Sequence, residues 1–324
     1  MKKYMLALGL SLLTVLGLFT GCSPKAETAS GSDSLKIVAT IFPEYDWARQ
    51  VLGDRAGEVQ LTLLLDSGTD LHSYQPTAAD MLTIGECDLF LYNGGESDAW
   101  VERVLATAAN PDRRTLSVME VLGDSVLEEE VVEGMQEAED HDHAEGEAHE
   151  EEADEHVWLS LRNARTACAE IARVLGELDP DHAAEYQTNA ENYMAELEAL
   201  DGEYTALAEN AARRTVLVGD RFPFRYLMDD YGLEYYAAFS GCSAETEASF
   251  ETIAFLSGKT EELALPCILT TESPQPGVAE TIRSNTASGD QTILQLDSMQ
   301  SAGTGDNYLD IMKENLEVLR QALA

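Results

Sequence analysis

Four of the chain's six histidines fall between Asp140 and Trp158, in the run D-H-D-H-A-E-G-E-A-H-E-E-E-A-D-E-H-V-W. Imidazole nitrogens interleaved with carboxylates are a donor set that suits Zn²⁺ and its borderline neighbours, and a short His-rich tract is a compositional signal for metal. His141, His143 and His149 sit in an acidic stretch that offers no local restraint on geometry, which suits loose capture of a cation. His156 differs, because it introduces Val157-Trp158-Leu159, apolar neighbours that would pack around it and fix it in place. The competing reading of the whole run is a solvated, chemically idle acidic segment. His72 lies elsewhere, in a polar, glycine-containing loop after a strand-like segment, the end of an open α/β sheet at which ligands bind. Asp297 and Asp220 stand at comparable strand ends, although a turn or capping role would account for Asp220 equally well.

The acidity extends to the whole chain. It has 324 residues, 60 of them acidic against 20 basic, for a formal net charge of −40. Such a field repels nucleic acid and anionic surfaces and draws in cations, so phosphate-backbone binding is excluded as a function class. Met1-Lys2-Lys3 followed by the apolar run Leu6 to Phe19 reads as a secretory signal over residues 1–21, too short for a transmembrane span. Phe19-Thr20-Gly21-Cys22 resembles a bacterial lipobox, with Cys22 lipidated after cleavage and residues 22–34 forming a tether. The expected address is extracytoplasmic, lipid-anchored to the outer face of the cytoplasmic membrane. Cys87, Cys168, Cys242 and Cys267 show no C-x-x-C spacing; in an oxidising compartment three pairings are open to them, of which Cys242 with Cys267 stays within one half of the chain.

Strand-like and helix-like segments alternate from Leu35. The strands are expected at Leu35–Phe42, Val59–Leu65, Leu89–Tyr92 and Leu116–Val118, and the helices at Glu44–Leu52, at Thr77–Glu86 with a Thr77-x-x-Asp80 capping pattern, and at Asp98–Ala108. Residues 128–155 interrupt this order with 15 acidic residues and no lysine or arginine, and read as a surface insertion. Helical spacing returns at Leu161–Leu178 and again at about Asp181–Asn210, a helix about 40 Å long. The alternation then restarts, with strands at Thr215–Val218, Glu234–Phe239, Cys267–Thr270 and Ile293–Leu296 and helices at Phe224–Tyr231, Phe250–Ser257, Gly277–Ser284 and Tyr308–Leu323. The pattern predicts an α/β protein of two lobes, each a parallel-type sheet flanked by helices, joined by a long rigid backbone helix. The lobes are placed at 35–180 and 213–324, with 181–212 as the link.

Several stretches resemble one family, the solute-binding proteins that serve zinc and manganese ABC importers. Gly68-Thr-Asp-Leu-His72-Ser-Tyr74-Gln-Pro76-Thr-Ala-Ala-Asp80 is similar to that family's first ligand loop, and Asp154-Glu-His156-Val-Trp158-Leu to its second ligand segment. Cys87 to Gly95 with Trp100, Phe224 to Leu233, Gly241 to Glu247, Thr271-Glu272-Ser273 and Leu296-Asp297-Ser298 resemble further landmarks in order, so the likeness spans nearly everything from Leu35. An acidic His-rich insertion before the second ligand is typical of the zinc-importing members.

The resemblance implies a metal held between two lobes by His72 and His156, with Asp297 near the chain's end and one further ligand after the first strand of the second lobe. At that last position this chain has Arg221, which has no lone pair to offer a cation. Asp220, Glu272, a loop histidine or water would then complete the shell, or Arg221 would hold a carboxylate ligand in place. The implied function is capture of Zn²⁺ and delivery to an ABC-type permease by a monomer. Mn²⁺ is the alternative cargo, and a surface adhesin or metal-buffering lipoprotein the alternative role. A zinc hydrolase is disfavoured, since His149-Glu150-Glu151-Glu152-Ala153 lacks the second histidine of H-E-x-x-H and no Gly-x-Ser-x-Gly occurs; the chain is not expected to be an enzyme.

Overall fold

The computed structural model describes residues 34–66, 69–106, 109–136, 152–243, 247–272 and 277–324. The proposed signal, Cys22 and the tether lie outside them, as do His141, His143 and His149. No helix among the described residues is long and apolar enough to cross a membrane.

The first half alternates β1 (Lys36–Ala39), α1 (Phe42–Leu52), β2 (Gln60–Leu63), α2 (Ala78–Glu86), β3 (Leu89–Tyr92), α3 (Val101–Leu105), β4 (Arg114–Ser117) and α4 (Val118–Leu122). After α5 (Leu161–Leu178) and α6 (Ala183–Asn210), the second half runs β5 (Thr215–Phe222), α7 (Arg225–Tyr231), β6 (Glu234–Ser240), α8 (Phe250–Glu262), β7 (Cys267–Thr270), α9 (Val278–Ser284), β8 (Thr292–Gln295) and α10 (Tyr308–Ala322). All strand pairings within the two sheets are parallel, and the orders are β2-β1-β3-β4 and β6-β5-β7-β8. The two sheets therefore repeat one topology, each centred on its first strand. Both are the two-sided, helix-flanked parallel kind that continuous apolar runs such as Ile37-Val38-Ala39 specify.

Local chemistry sets the element ends. Pro43 opens α1, and the Glu44 carboxylate accepts from the Thr40 and Ile41 amides just before it. The Thr77 hydroxyl accepts from the Asp80 amide while the Asp80 carboxylate accepts from the Thr77 amide, the reciprocal cap that the sequence announces. Two expectations are corrected. The helix expected from Asp98 begins at Val101, because the Asp98 carboxylate turns back to accept from the Gly94 amide at 2.9 Å. The insertion is also not a bare loop throughout. Its stems close as an antiparallel bridge between Glu128 and Ala153, and Gln136 adds a parallel bridge to Phe239 on β6. The four cysteines at 87, 168, 242 and 267 are all free thiols.

The largest apolar cluster spans both halves, and two smaller ones lie within the second and the first half. The largest runs from Ile37 and Trp47 through α5 and α6 to Phe222, Tyr308 and Leu319. Hydrogen bonds stitch it where the halves meet. The Trp158 indole donates to the Ser298 carbonyl at 2.9 Å, the Tyr308 hydroxyl to the Trp158 carbonyl at 2.7 Å, and the Tyr226 hydroxyl to the Asp154 carbonyl at 2.8 Å. Tyr308 also packs edge-on to Trp47, with centroids 5.4 Å apart, and its amide donates to Asp46. The segment Asp154–Leu159, which carries His156, is thus gripped from both sides.

Two outcomes follow. Trp158→Ala should cost about 3–5 kcal/mol in denaturant unfolding, because it removes a large buried side chain at this junction, whereas Phe250→Ala, at an 81 % exposed position, should stay within about 0.5 kcal/mol. Burial, with Glu155 adding to it against the Gly94 amide, pushes the Asp98 carboxyl up to about 7. The folded state then keeps a proton that the unfolded chain has already lost, so this group's contribution falls as pH rises towards 7. Metal-free Asp98→Asn should gain on the parent by up to about 1.4 kcal/mol per pH unit between pH 5 and 7, with the gap constant above that; parallel pH profiles would refute the shift.

Candidate metal centre

His72 sits in a single 3₁₀ turn, Leu71–Ser73, whose first amides are capped by the Asp70 side chain, which accepts from the His72 amide at 3.0 Å. Leu71 is buried and anchors the turn. His156 is fully buried, inside the segment gripped through Trp158 and Tyr226. The two rings lie 5.3 Å apart at 60°, and the Trp158 indole is 5.2 Å from His156.

The partners of each ring fix its tautomer. His156 Nδ1 is 2.9 Å from Asp154 Oδ1, and a carboxylate only accepts, so Nδ1 carries the proton. His72 Nδ1 is 2.9 Å from Ser97 Oγ, whose single proton is committed to Glu155 Oε2; Ser97 therefore accepts from His72 Nδ1–H. The Ser97 amide donates to the other Glu155 oxygen at 2.7 Å. Although burial works to raise it, the neighbouring His72 ring, with Nδ1 3.5 Å from Oε2, and the hydrogen bonds from Ser97 hold the Glu155 carboxyl below the usual carboxylate range, so it acts as an anion. In the neutral ring each histidine thus has Nε2 as its lone-pair nitrogen, and both Nε2 atoms are shielded from solvent without a hydrogen-bond partner. Orphaned buried acceptors are expensive unless something binds them.

Gly95 permits this arrangement. Its φ is +83°, and a Cβ there would lie 2.4 Å from Glu155 Oε1. On the other wall, the loop after β6 comes equally close: a Cβ at Gly241 would meet His156 Cε1 at 2.6 Å. The next residue, Cys242, completes a group with His72 and His156 whose ligand atoms all lie within 4.8 Å of one another, the sole such trio of His, Cys or acidic residues among the described residues. Burial, followed by the carboxylates of Glu129, Glu155, Asp154 and Glu152, pushes the Cys242 thiol well up from its ordinary value.

The remaining candidates lie outside this trio. Asp220 is fully buried with its carboxylate engaged, Oδ1 accepting from the Arg221 amide and Oδ2 from the Thr271 amide and hydroxyl. Glu272 accepts from the Ser298 amide and hydroxyl and the Gln300 amide. It lines a cavity of about 80 Å³ together with Asp70, Arg221 and Gly241. Asp297 Oδ1 accepts from the Met299 amide, and burial together with Glu272 pushes its carboxyl up to about 6. Arg221, on β5, reaches across the cleft to Asp70 at 3.0 Å. The carboxylate that it holds is the one capping the His72 turn. Cys242 and Glu155 went unassigned from sequence, yet Cys242 follows a strand's carboxyl end beside a glycine, the same signal that marked His72, and Glu155 directly precedes His156.

Comparison with known proteins agrees with this architecture. Residues 37–322 match the family model described as zinc-uptake complex component A, periplasmic. The zinc-binding lipoprotein AdcA of Streptococcus pneumoniae is 32 % identical over 99 % of this chain, which spans 61 % of that protein's length. The high-affinity zinc uptake system protein ZnuA of Bacillus subtilis is 30 % identical over 93 % of this chain and 91 % of its own. The crystal structure of the Zn(II)-bound ZnuA-like domain of Streptococcus pneumoniae AdcA superposes with a TM-score of 0.69 at 26 % identity, covering 90 % of this chain and 99 % of that domain. Parallel sheets in the order described, the buried histidine pair between them and the matched span together place the chain in the ZnuA family of zinc-uptake complex components.

Proposed function

We propose that the chain is an extracytoplasmic receptor that takes Zn²⁺ into the cleft at His72 and His156 and presents it to an ABC-type permease, tethered to the membrane by lipid on Cys22. The observation that carries this reading is the pair of buried, unpartnered Nε2 atoms on rings 5.3 Å apart, each with its Nδ1–H committed to a carboxylate or a hydroxyl relay. A histidine whose other nitrogen donates to a carboxylate is an oriented and more basic metal ligand. Binding and release are the whole task, and the negative field of the chain concentrates cations around the cleft. Names and bound metal among the relatives, zinc in each case cited above, favour Zn²⁺ over Mn²⁺ as the cargo. His141, His143 and His149 serve in this reading as a gathering group that hands metal to the cleft.

Competitive titration with Zn²⁺ and Mn²⁺ tests the site. His72→Ala should lose at least about 100-fold in zinc affinity, beyond the range found on removing an outer partner, while deleting residues 137–151 between the closed stems should leave it nearly unchanged. The opposite pattern, with binding lost along with the loop and kept in His72→Ala, would refute the cleft.

Glu155→Gln tests the relay. An amide can donate as well as accept, so Ser97 would no longer be compelled to accept from His72 Nδ1, and the free Nε2 lone pair would cease to be dictated. Zinc affinity should drop about 10–100-fold with the fold intact by circular dichroism. Unchanged affinity would show that His72 is oriented by its turn alone.

A further inference from the structure

Resting on the reading of the His72–His156 cleft as a zinc site, we infer that Cys242 is its third protein ligand, giving a His₂Cys centre, and that this sulfur sets selection against Mn²⁺. The second lobe has to contribute a donor if the metal is to bridge the cleft, and the residues that could do so are few. Arg221 has no lone pair and is paired with Asp70. Asp220 is folded into its own strand end, with both carboxylate oxygens accepting from neighbours. Both Glu272 oxygens accept from the Ser298 and Gln300 turn. Among the described residues Cys242 alone joins the two histidines in one group of ligand atoms, and Asp297 lies outside that group.

The geometry is near to what coordination needs. Ligand atoms around one tetrahedral Zn²⁺, with Zn–N of about 2.0–2.1 Å and Zn–S of about 2.3 Å, stand roughly 3.3–3.6 Å apart. The group lies within 4.8 Å, so a contraction of up to about 1.5 Å closes it. Gly241 makes that approach possible, since any side chain there would collide with the His156 ring. Two further observations point to a ligand independently of the thiol: His156 is fully buried with Nε2 unpartnered, and His72 Nε2 is likewise shielded and unpartnered.

The chemistry balances simply. Zn²⁺ replaces the thiol proton, which leaves to solvent, and one Zn–S bond forms with no change of oxidation state. Thiolate is a soft donor that suits Zn²⁺ and disfavours Mn²⁺, which prefers carboxylate and water oxygens. A fourth position remains for water or an exchanging ligand, and three protein ligands plus one labile one suit a carrier that must let its cargo go.

X-ray absorption at the zinc edge of the zinc-loaded protein reads the ligand set directly and needs no variant. The expected spectrum has one sulfur at about 2.3 Å besides nitrogen or oxygen neighbours at about 2.0–2.1 Å. In Cys242→Ser the sulfur shell should vanish, in Cys242→Ala zinc affinity should fall at least about 100-fold, and in Cys242→Asp competition should move towards Mn²⁺. A zinc site with only nitrogen and oxygen neighbours would overturn the sulfur ligand while leaving the histidine cleft standing. Zinc affinity retained in His72→Ala would instead overturn the cleft itself, and the two failures are told apart by which variant keeps its metal.

Discussion

The structure turns on a commitment of protons. Asp154 and the Glu155–Ser97 relay each bind one imidazole N–H, and in doing so they fix where the remaining lone pairs point. Much of the architecture serves to keep those acceptors out of solvent. Gly95 brings the turn after β3 against Glu155, the Trp158 and Tyr308 bonds hold the segment that bears Asp154 and Glu155, and Leu71 seats the opposing turn. Loosening any of these would free the rings to rotate, and a rotated imidazole would bury its lone pair against protein instead of aiming it at the cleft.

The joint between the halves is part of the same constraint. Residues at the interface of the two sheets share one apolar cluster, and α10, from the end of the chain, packs on α1 near its start through Tyr308 and Trp47. Such an arrangement favours small adjustments of packed elements over a wide hinge. Arg221 adds an electrostatic strut at the mouth of the cleft. Its partner Asp70 is partly exposed, so the strut's worth lies more in setting the position of the His72 turn than in stability.

Much of this could be read from the chain. Alternation of apolar runs with capped helices gave the strand order its elements, and the Thr77–Asp80 cap stands as written. The site was half legible. His72 and His156 lie in distinct local contexts, a turn after a strand and an apolar run, and both contexts are continuous in sequence. Cys242 was hidden because its meaning depends on an approach between residues far apart in the chain, the Gly241 backbone against the His156 ring. Asp98 was hidden for a similar reason: it has the composition of a helix start, and only the turn of Gly94 and Gly95 reveals that its carboxylate closes a loop instead. Local pattern specifies elements, whereas the pairing of loop ends is decided by the sheets that carry them.

The bridge between Gln136 and Phe239 bears on solubility. β6 is the outer strand of its sheet, and an outer strand offers unpaired amides and carbonyls to any other chain that can extend beside it. Gln136 occupies part of that border: its amide donates to the Ala238 carbonyl, its side-chain oxygen accepts from the Ser249 amide, and Gly134 lies so near Phe255 that no larger residue would fit. In sequence, the acidic run 137–151 follows directly on Gln136. By taking up the Ala238 carbonyl, Gln136 leaves that much less of the sheet's open margin for a neighbour's strand to pair with.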